Sequence, residues 1–354
     1  MARGENWFVE TDAAGQALHV RHKPGRAPGR GPERRERAPI VFVHGATYSG
    51  AAAYDADLPG GSWMDFAASR GYDTFAPDMR GYGRSWRPPE LDAKAFHNRP
   101  QVHTEDAVED LHHVVQAVLR RTGAPRVNLV GWSWGTAICG GYATAHPELV
   151  RSASLFAPLW VMRDPVGIAV SRSPMLPFAW CYPMIADSRW LVGAYRNVDA
   201  KHAWARWFRE VSPELAEELM PREQFDRWWA DAVACDPVGA AQVPPVVRAP
   251  NGVLADLLSR WSSGRPTWDA ARMTTPTLLI VGEWDIDTPP SMAQELFEAL
   301  THAPIKRLEV LARGTHSMSL EVNRFELYRR VQDFIETPSF ESAGTVARPY
   351  RRRR

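Results

Sequence analysis

Several short runs of this chain are apolar, or all but one residue so, from end to end and stop at a loop that carries glycine. Ile40–Val43 runs into His44-Gly45, Leu278–Val281 into Gly282, and Val127–Val130, apolar but for Asn128, into Gly131. A strand with one wet face alternates apolar and polar residues, so an unbroken apolar run of this length belongs to a strand covered on both sides. "YDTFAPDMRGYGRS" (72–85) repeats the strand-then-glycine-loop arrangement, and "VRSASLFAP" (150–158) and "IKRLEVLARGTH" (305–316) are strand-like again. Between these runs the period changes. "HTEDAVEDLHHVVQAVLRRTG" (103–123) has apolar residues at 107/108, 111, 114/115 and 118/119, a helical spacing. Thr104 is placed to cap that helix, Glu105 and Asp106 suit its positive end, Arg120 and Arg121 its negative end, and Gly123 stops it. Alternating strands and helices predict an α/β fold with a mostly parallel central sheet flanked by helices.

The rhythm begins after two short strands expected at Trp7–Thr11 and Ala17–His22. It breaks between 159 and 274, where helix formers, prolines and nine of the fifteen tryptophans collect, and it resumes at 275. "RFELYRRVQDFI" closes it with Phe325, Tyr328, Val331 and Phe334 or Ile335 on one face. The predicted organisation is a sheet domain in two parts, 1–158 and 275–338, interrupted by an inserted helical cap, 159–274. A basic loop lies at 23–39 and a basic tail at 339–354.

Composition narrows the function. With 45% hydrophobic and 23% charged residues, the chain is an ordinary globular one, and a net charge of +1 argues against general nucleic-acid binding. The basic runs "KPGRAPGRGPERRER" and "RPYRRRR" read as solvated segments whose Pro, Gly and Arg content builds no core. No apolar run reaches the roughly 18 residues of a membrane span, and the start, "MARGENWFVETD", lacks the apolar centre of a secretion signal. A cytoplasmic location is expected. Cys139, Cys181 and Cys235, odd in number and without metal-like spacing, are expected to be reduced.

"GWSWG" (131–135) places Ser133 between two tryptophans and two glycines, after an apolar strand and before a helix of small residues. A strand-to-helix turn of this kind strains the serine backbone and lifts its hydroxyl above the sheet edge, and the glycines leave room for the turn. The hydroxyl needs a base. Among eleven histidines, His316 lies in a loop between a strand and the last helix, at the same sheet edge as Ser133. His112 and His113 fall mid-helix, and His44 reads as a brace for the loop it precedes. The base needs an acid: Asp285, just past the strand ending at Val281, is first, Asp287 second and Asp164 third. The order Ser133, Asp285, His316 is the one expected of this arrangement. Acyl transfer also needs donors for an oxyanion. The N–H of Trp134 at a helix start is one, and the second is expected from the loop after the His-Gly strand, at Ala46.

Taken in order, "VFVHGA", "PDMRGYGRS", "GWSWGT", "VGEWDIDTP" and "GTHSM" resemble the α/β-hydrolase fold superfamily over most of 40–158 and 275–336. The inserted segment matches only in position, as the cap such enzymes carry. The resemblance implies Ser133 as nucleophile, His316 as base, Asp285 as its partner, the amides of Ala46 and Trp134 as oxyanion hole, and no metal or organic cofactor. Tryptophan after the nucleophile is similar to epoxide hydrolases and haloalkane dehalogenases, whose nucleophile is aspartate. An alkylated serine would be an ether that activated water does not cleave, so those chemistries are disfavoured. A prolyl aminopeptidase is disfavoured too, because that branch carries His-Gly-Gly-Pro-Gly where this chain reads "HGATYSG". Hydrolysis of an ester, lactone or thioester of a bulky hydrophobic small molecule stands first, and cleavage of a ketone-activated carbon–carbon bond second. A ligand-binding receptor on the same fold is the alternative from another class, and a homodimer is left open.

Overall fold

A ribbon with no polar face is stable only between two layers, and each apolar run folds accordingly as a strand of one sheet. The computed structural model describes residues 4–25, 37–162, 192–209 and 211–337. Among them the strands are β1 (Glu5–Glu10), β2 (Ala17–Lys23), β3 (Ile40–Val43), β4 (Thr74–Pro77), β5 (Val127–Trp132), β6 (Val150–Phe156), β7 (Tyr195–Val198), β8 (Val247–Pro250), β9 (Thr277–Gly282) and β10 (Lys306–Leu311). Eight of them form a sheet in the order β1-β2-β4-β3-β5-β6-β9-β10. β1–β2 and β2–β4 are antiparallel, and every pair from β4 through β10 is parallel.

Before the break come helices α1 (Gly50–Tyr54), α2 (Trp63–Ser69), α3 (Thr104–Thr122) and α4 (Trp134–Ala145). The segment between β6 and β9 carries α5 (Ala200–Trp207), α6 (Pro213–Leu219), α7 (Arg222–Ala234), α8 (Pro237–Ala240) and α9 (Gly252–Ser259); α10 (Pro290–Ala299) and α11 (Arg324–Ile335) follow. The two-residue period of the strands sorts the core. Ile40, Phe42, Val130, Phe156 and Ile280 pack with Trp63, Met64, Leu327 and Tyr328 from α2 and α11. Val41, Val43, Leu129, Leu155 and Leu279 pack with Leu111, Val115, Ile138 and Leu296 from α3, α4 and α10. Phe42, Phe75 and Phe156 expose nothing, and burying each contributes about 1.5–3 kcal/mol.

Two expectations need correction. The α3 cap is His103, whose N–H donates to the Asp106 carboxylate at 2.8 Å. Thr104 is the first helical residue, and its hydroxyl donates to Asp256 Oδ2 at 2.7 Å. Gly123 ends the helix at φ +71°, as the sequence predicts. The segment after β6 is not purely helical either, because β7 and β8 pair antiparallel within it. Its tryptophans mostly pack. Trp160 and Trp268 meet edge to face at 5.2 Å, and a Cβ on Gly140 would stand 2.3 Å from Trp268, so α4 is small there to seat an indole. Trp228 Nε1 donates to the Ala52 carbonyl at 3.0 Å. Trp180, Trp190, Cys181, Asp164, most of the basic loop and the basic tail lie outside the described residues. Cys139 and Cys235 are free thiols. Among the described residues no helix is long and apolar enough to cross a membrane.

Candidate active site

In a parallel sheet the strands end at one edge, and ligands gather there. β3 pairs with β5 so that Val43 faces Gly131, which brings the loop starting at His44 beside Trp132 and Ser133. Along β9 the register sets Phe156 against Ile280 and Leu311 against Gly282, which carries the loops holding Asp285 and His316 to the same edge.

Ser133 stands at φ 56°, ψ −120°, a conformation that glycine normally takes in turns. The turn works because Gly131 and Gly135, two residues to either side, have no side chain. A Cβ on Gly131 would lie 2.5 Å from the Gly135 carbonyl oxygen, and one on Gly135 2.1 Å from that of Val43. Both obstacles are backbone and cannot step aside. Gly135→Ala is therefore expected to destabilise the protein by about 3 kcal/mol or more, read from denaturant unfolding. A loss under about 1 kcal/mol would mean that β3 and α4 are less tightly joined than this.

The two flanking tryptophans differ in role. Trp134 is buried, with its ring 5.6 Å from that of Tyr82 and its Nε1 donating to Thr104 Oγ1 at 3.0 Å. Trp132 lines the pocket, and its Nε1 donates to the His316 carbonyl at 2.8 Å, tying the histidine loop to the serine strand.

His316 Nδ1 lies 2.9 Å from Asp285 Oδ2 and 3.0 Å from Oδ1. Asp285 is itself fixed, because its carboxylate accepts from Asp287 N, Thr288 N and Thr288 Oγ1 at 2.8–2.9 Å. With Nδ1 committed to the acid, Nε2 is the nitrogen left for exchange; it makes no hydrogen bond to another described residue. Ser133, His316 and Ala46 line one pocket with Tyr48, Trp132, Trp207 and Trp284. No hydrogen bond joins Ser133 Oγ to His316 in this state; such contacts often tighten only around substrate. Asp287, the second acid candidate, turns to the intervening segment and pairs with Arg206 at 3.2 Å and Arg209 at 2.9 Å.

The amides of Ala46 and Trp134 donate to no protein group among the described residues, so both are free to serve an oxyanion. A Cβ on Gly45 would lie 3.3 Å from Ser133 Cβ, which places this loop against the serine. His44 is the brace its position suggests. Buried, with Gly45 O 2.7 Å from Nδ1, it accepts the Met79 N–H at Nε2 over 3.1 Å, and burial holds its pKa below the ordinary value.

Three contributors have no mark in the sequence. Thr288 steadies Asp285, as above. Tyr48 places a phenol on the pocket wall, and burial pushes it up to about 12. Glu321 is fully buried and accepts from Trp207 Nε1 at 2.9 Å and from the Thr315 hydroxyl, next to His316. Burial pushes its carboxyl up to about 7, although those hydrogen bonds favour the charged form. The folded state thus binds more protons than the unfolded chain between the ordinary carboxylate range and about pH 7, so stability declines as pH rises across that window. Wild type is expected to lose about 1–3 kcal/mol relative to Glu321→Gln between pH 5 and pH 8. Denaturant unfolding at both pH values checks this, and a loss of opposite sign would refute it.

The family model for the alpha/beta hydrolase fold matches residues 38–321. The chain is 28% identical over 148 residues to lipase member K of Homo sapiens, covering 42% of this chain and 36% of that lipase, about a third of its length. It is 30% identical over 309 residues to 2-hydroxymuconate semialdehyde hydrolase of Pseudomonas putida, covering 86% of this chain and 89% of that enzyme. Among solved structures, potato epoxide hydrolase superimposes with a TM-score of 0.61 at 17% identity, over 94% of this chain and 99% of that one.

Proposed function

This chain belongs to the alpha/beta hydrolase fold family, and from that premise we propose that it is a hydrolase that cleaves an ester, lactone or thioester of a bulky hydrophobic small molecule through an acyl-enzyme on Ser133. One observation carries the reading: a strained serine shares a pocket with a histidine whose Nδ1 is 2.9 Å from a buried carboxylate. Ser133 Oγ attacks the carbonyl carbon as its proton passes to His316 Nε2. The carbonyl oxygen takes the electron pair and accepts hydrogen bonds from the Ala46 and Trp134 amides. Collapse of the adduct returns the proton to the leaving group; water, deprotonated by His316, then frees the acid and Ser133. Asp285 holds the imidazole in the tautomer with a free Nε2 and stabilises the imidazolium.

Residues 159–274 act as a cap over this edge in this reading. Trp132, Trp207, Trp284 and Tyr48 supply flat walls suited to an aromatic or bulky aliphatic group and exclude water. A second reading rests on the similarity to 2-hydroxymuconate semialdehyde hydrolase, which runs nearly end to end. In it Ser133 Oγ adds to a ketone as His316, oriented by Asp285, takes its proton, and the bond that breaks is carbon–carbon, its electron pair passing into a conjugated carbonyl.

A panel of p-nitrophenyl esters of rising bulk, lactones and a vinylogous β-diketone separates these. Aryl and long-chain esters turned over faster than acetate support the first reading. Turnover of the diketone alone supports the second, and preference for acetate refutes the hydrophobic substrate class. A folded protein that takes up no fluorophosphonate probe would instead be the ligand-binding receptor.

A further inference from the structure

Arg196 of β7 reaches out of the intervening segment to the loop that carries the Ala46 amide. Its guanidinium donates only to neutral oxygens: Nη1 to Pro250 O at 2.9 Å and Asn251 Oδ1 at 3.0 Å, Nη2 to Ala46 O at 2.5 Å and Thr47 Oγ1 at 3.2 Å. No carboxylate pairs with it among the described residues. The ionisable groups facing it are Tyr82, Tyr48 and Arg206, none of them an anion at neutral pH, and burial lowers its pKa. A part-buried cation with no counter-ion among the described residues gives up some of its hydration, so its surroundings must gain from holding it.

The gain is local to the Ala46 carbonyl. That oxygen accepts a second hydrogen bond from Tyr82 Oη at 3.1 Å, one donor coming from the core and one from β7. Two donors on one carbonyl fix the peptide plane after Ala46 and hence the whole turn from Gly45 to Thr47. A positive charge that no anion among the described residues pairs with is thus hydrogen-bonded to the residue whose amide would meet a carbonyl oxygen as it becomes negative.

We propose that Arg196 is a positioning residue for the oxyanion loop, fixing the Ala46 peptide and biasing the site electrostatically toward the anionic intermediate. The inference rests on the acyl-transfer reading above. It makes the segment after β6 part of the machinery that stabilises the transition state, in addition to its part in covering substrate.

The test compares Arg196→Met, Arg196→Lys and Tyr82→Phe with wild type, using a hydrolysed aryl ester and an aryl boronic acid that forms a tetrahedral anion on Ser133. Arg196→Met is expected to lose about 10- to 100-fold in kcat with KM within about threefold, and to lose boronate affinity in parallel. Arg196→Lys should recover part of that loss. Tyr82→Phe, which deletes one hydroxyl, should show the same kcat-weighted pattern at about three- to tenfold and carries the test if Arg196→Met does not fold. A purely structural role would lower melting temperature and leave kcat and boronate affinity of the folded fraction unchanged, and that result would overturn the inference. Fluorophosphonate labelling of wild type is the separate control: if it fails, the acyl-transfer reading has failed and not merely the role of Arg196.

Discussion

Ser133→Ala is expected to lower turnover by roughly 10⁴- to 10⁶-fold and to abolish fluorophosphonate labelling, while the protein still folds and binds substrate. The separation of these effects follows from the backbone. The strain at φ 56°, ψ −120° belongs to any residue with a Cβ, so alanine inherits it unchanged and only the nucleophilic oxygen is lost. Ser133→Gly goes further, because glycine adopts this conformation freely. It should be equally inactive yet more stable than wild type by about 1–2 kcal/mol. Steady-state kinetics and denaturant midpoints on the three proteins give both numbers. If Ser133→Ala kept more than about a hundredth of wild-type turnover, another group would have to be the nucleophile.

How much of this was legible from residue order depends on the length scale of the signal. Ile40–Val43 and Leu278–Val281 announce buried parallel strands by themselves, because burial on both faces leaves no polar position; Val127–Val130 does so with one exception, Asn128, whose buried amide donates to Ala38 O and accepts from Ser152 Oγ. The serine turn is equally plain, since the collisions that require Gly131 and Gly135 are with atoms a few residues or one strand away. The joining of His316 to Asp285 could be inferred only through topology, by placing two loops at one edge. Asp285 over Asp287 had a local clue: Asp285 accepts the N–H groups of Asp287 and Thr288, an aspartate-led turn that the Asp-Ile-Asp-Thr run allows. Thr104 misled because a threonine ahead of an apolar period is a good cap, and tertiary demand from Asp256 and Trp134 took its hydroxyl elsewhere. Arg196 and Glu321 were illegible for a different reason. Their meaning lies in contacts 150 and 114 residues away, and nothing in their neighbourhoods sets them apart from an ordinary arginine or glutamate.

Asp285→Asn is expected to cost about 10⁴-fold in kcat with little change in KM, whereas Asp287→Asn should cost no more than about tenfold and act mainly on KM. Asparagine is nearly isosteric, but one of its two oxygens becomes an N–H₂ donor. If the amide oxygen keeps the N–H groups of Asp287 and Thr288, the amide nitrogen faces His316 Nδ1 and forces the imidazole proton onto Nε2. The base then has no lone pair where Ser133 needs one. If the amide flips, it presents N–H to N–H against Asp287 and Thr288 and the loop loses its anchor. In either orientation the charge that would stabilise an imidazolium is gone. Asp287 differs because its carboxylate is held by Arg206 and Arg209 on the pocket wall. Removing its charge frees two guanidiniums beside bound substrate without touching the imidazole, so the effect falls on binding. Separate kcat and KM values for the two variants distinguish the roles. A large kcat loss in Asp287→Asn, with Asp285→Asn near wild type, would transfer the orienting role to Asp287 and require the His316 ring to turn away from the acid it meets in this structure.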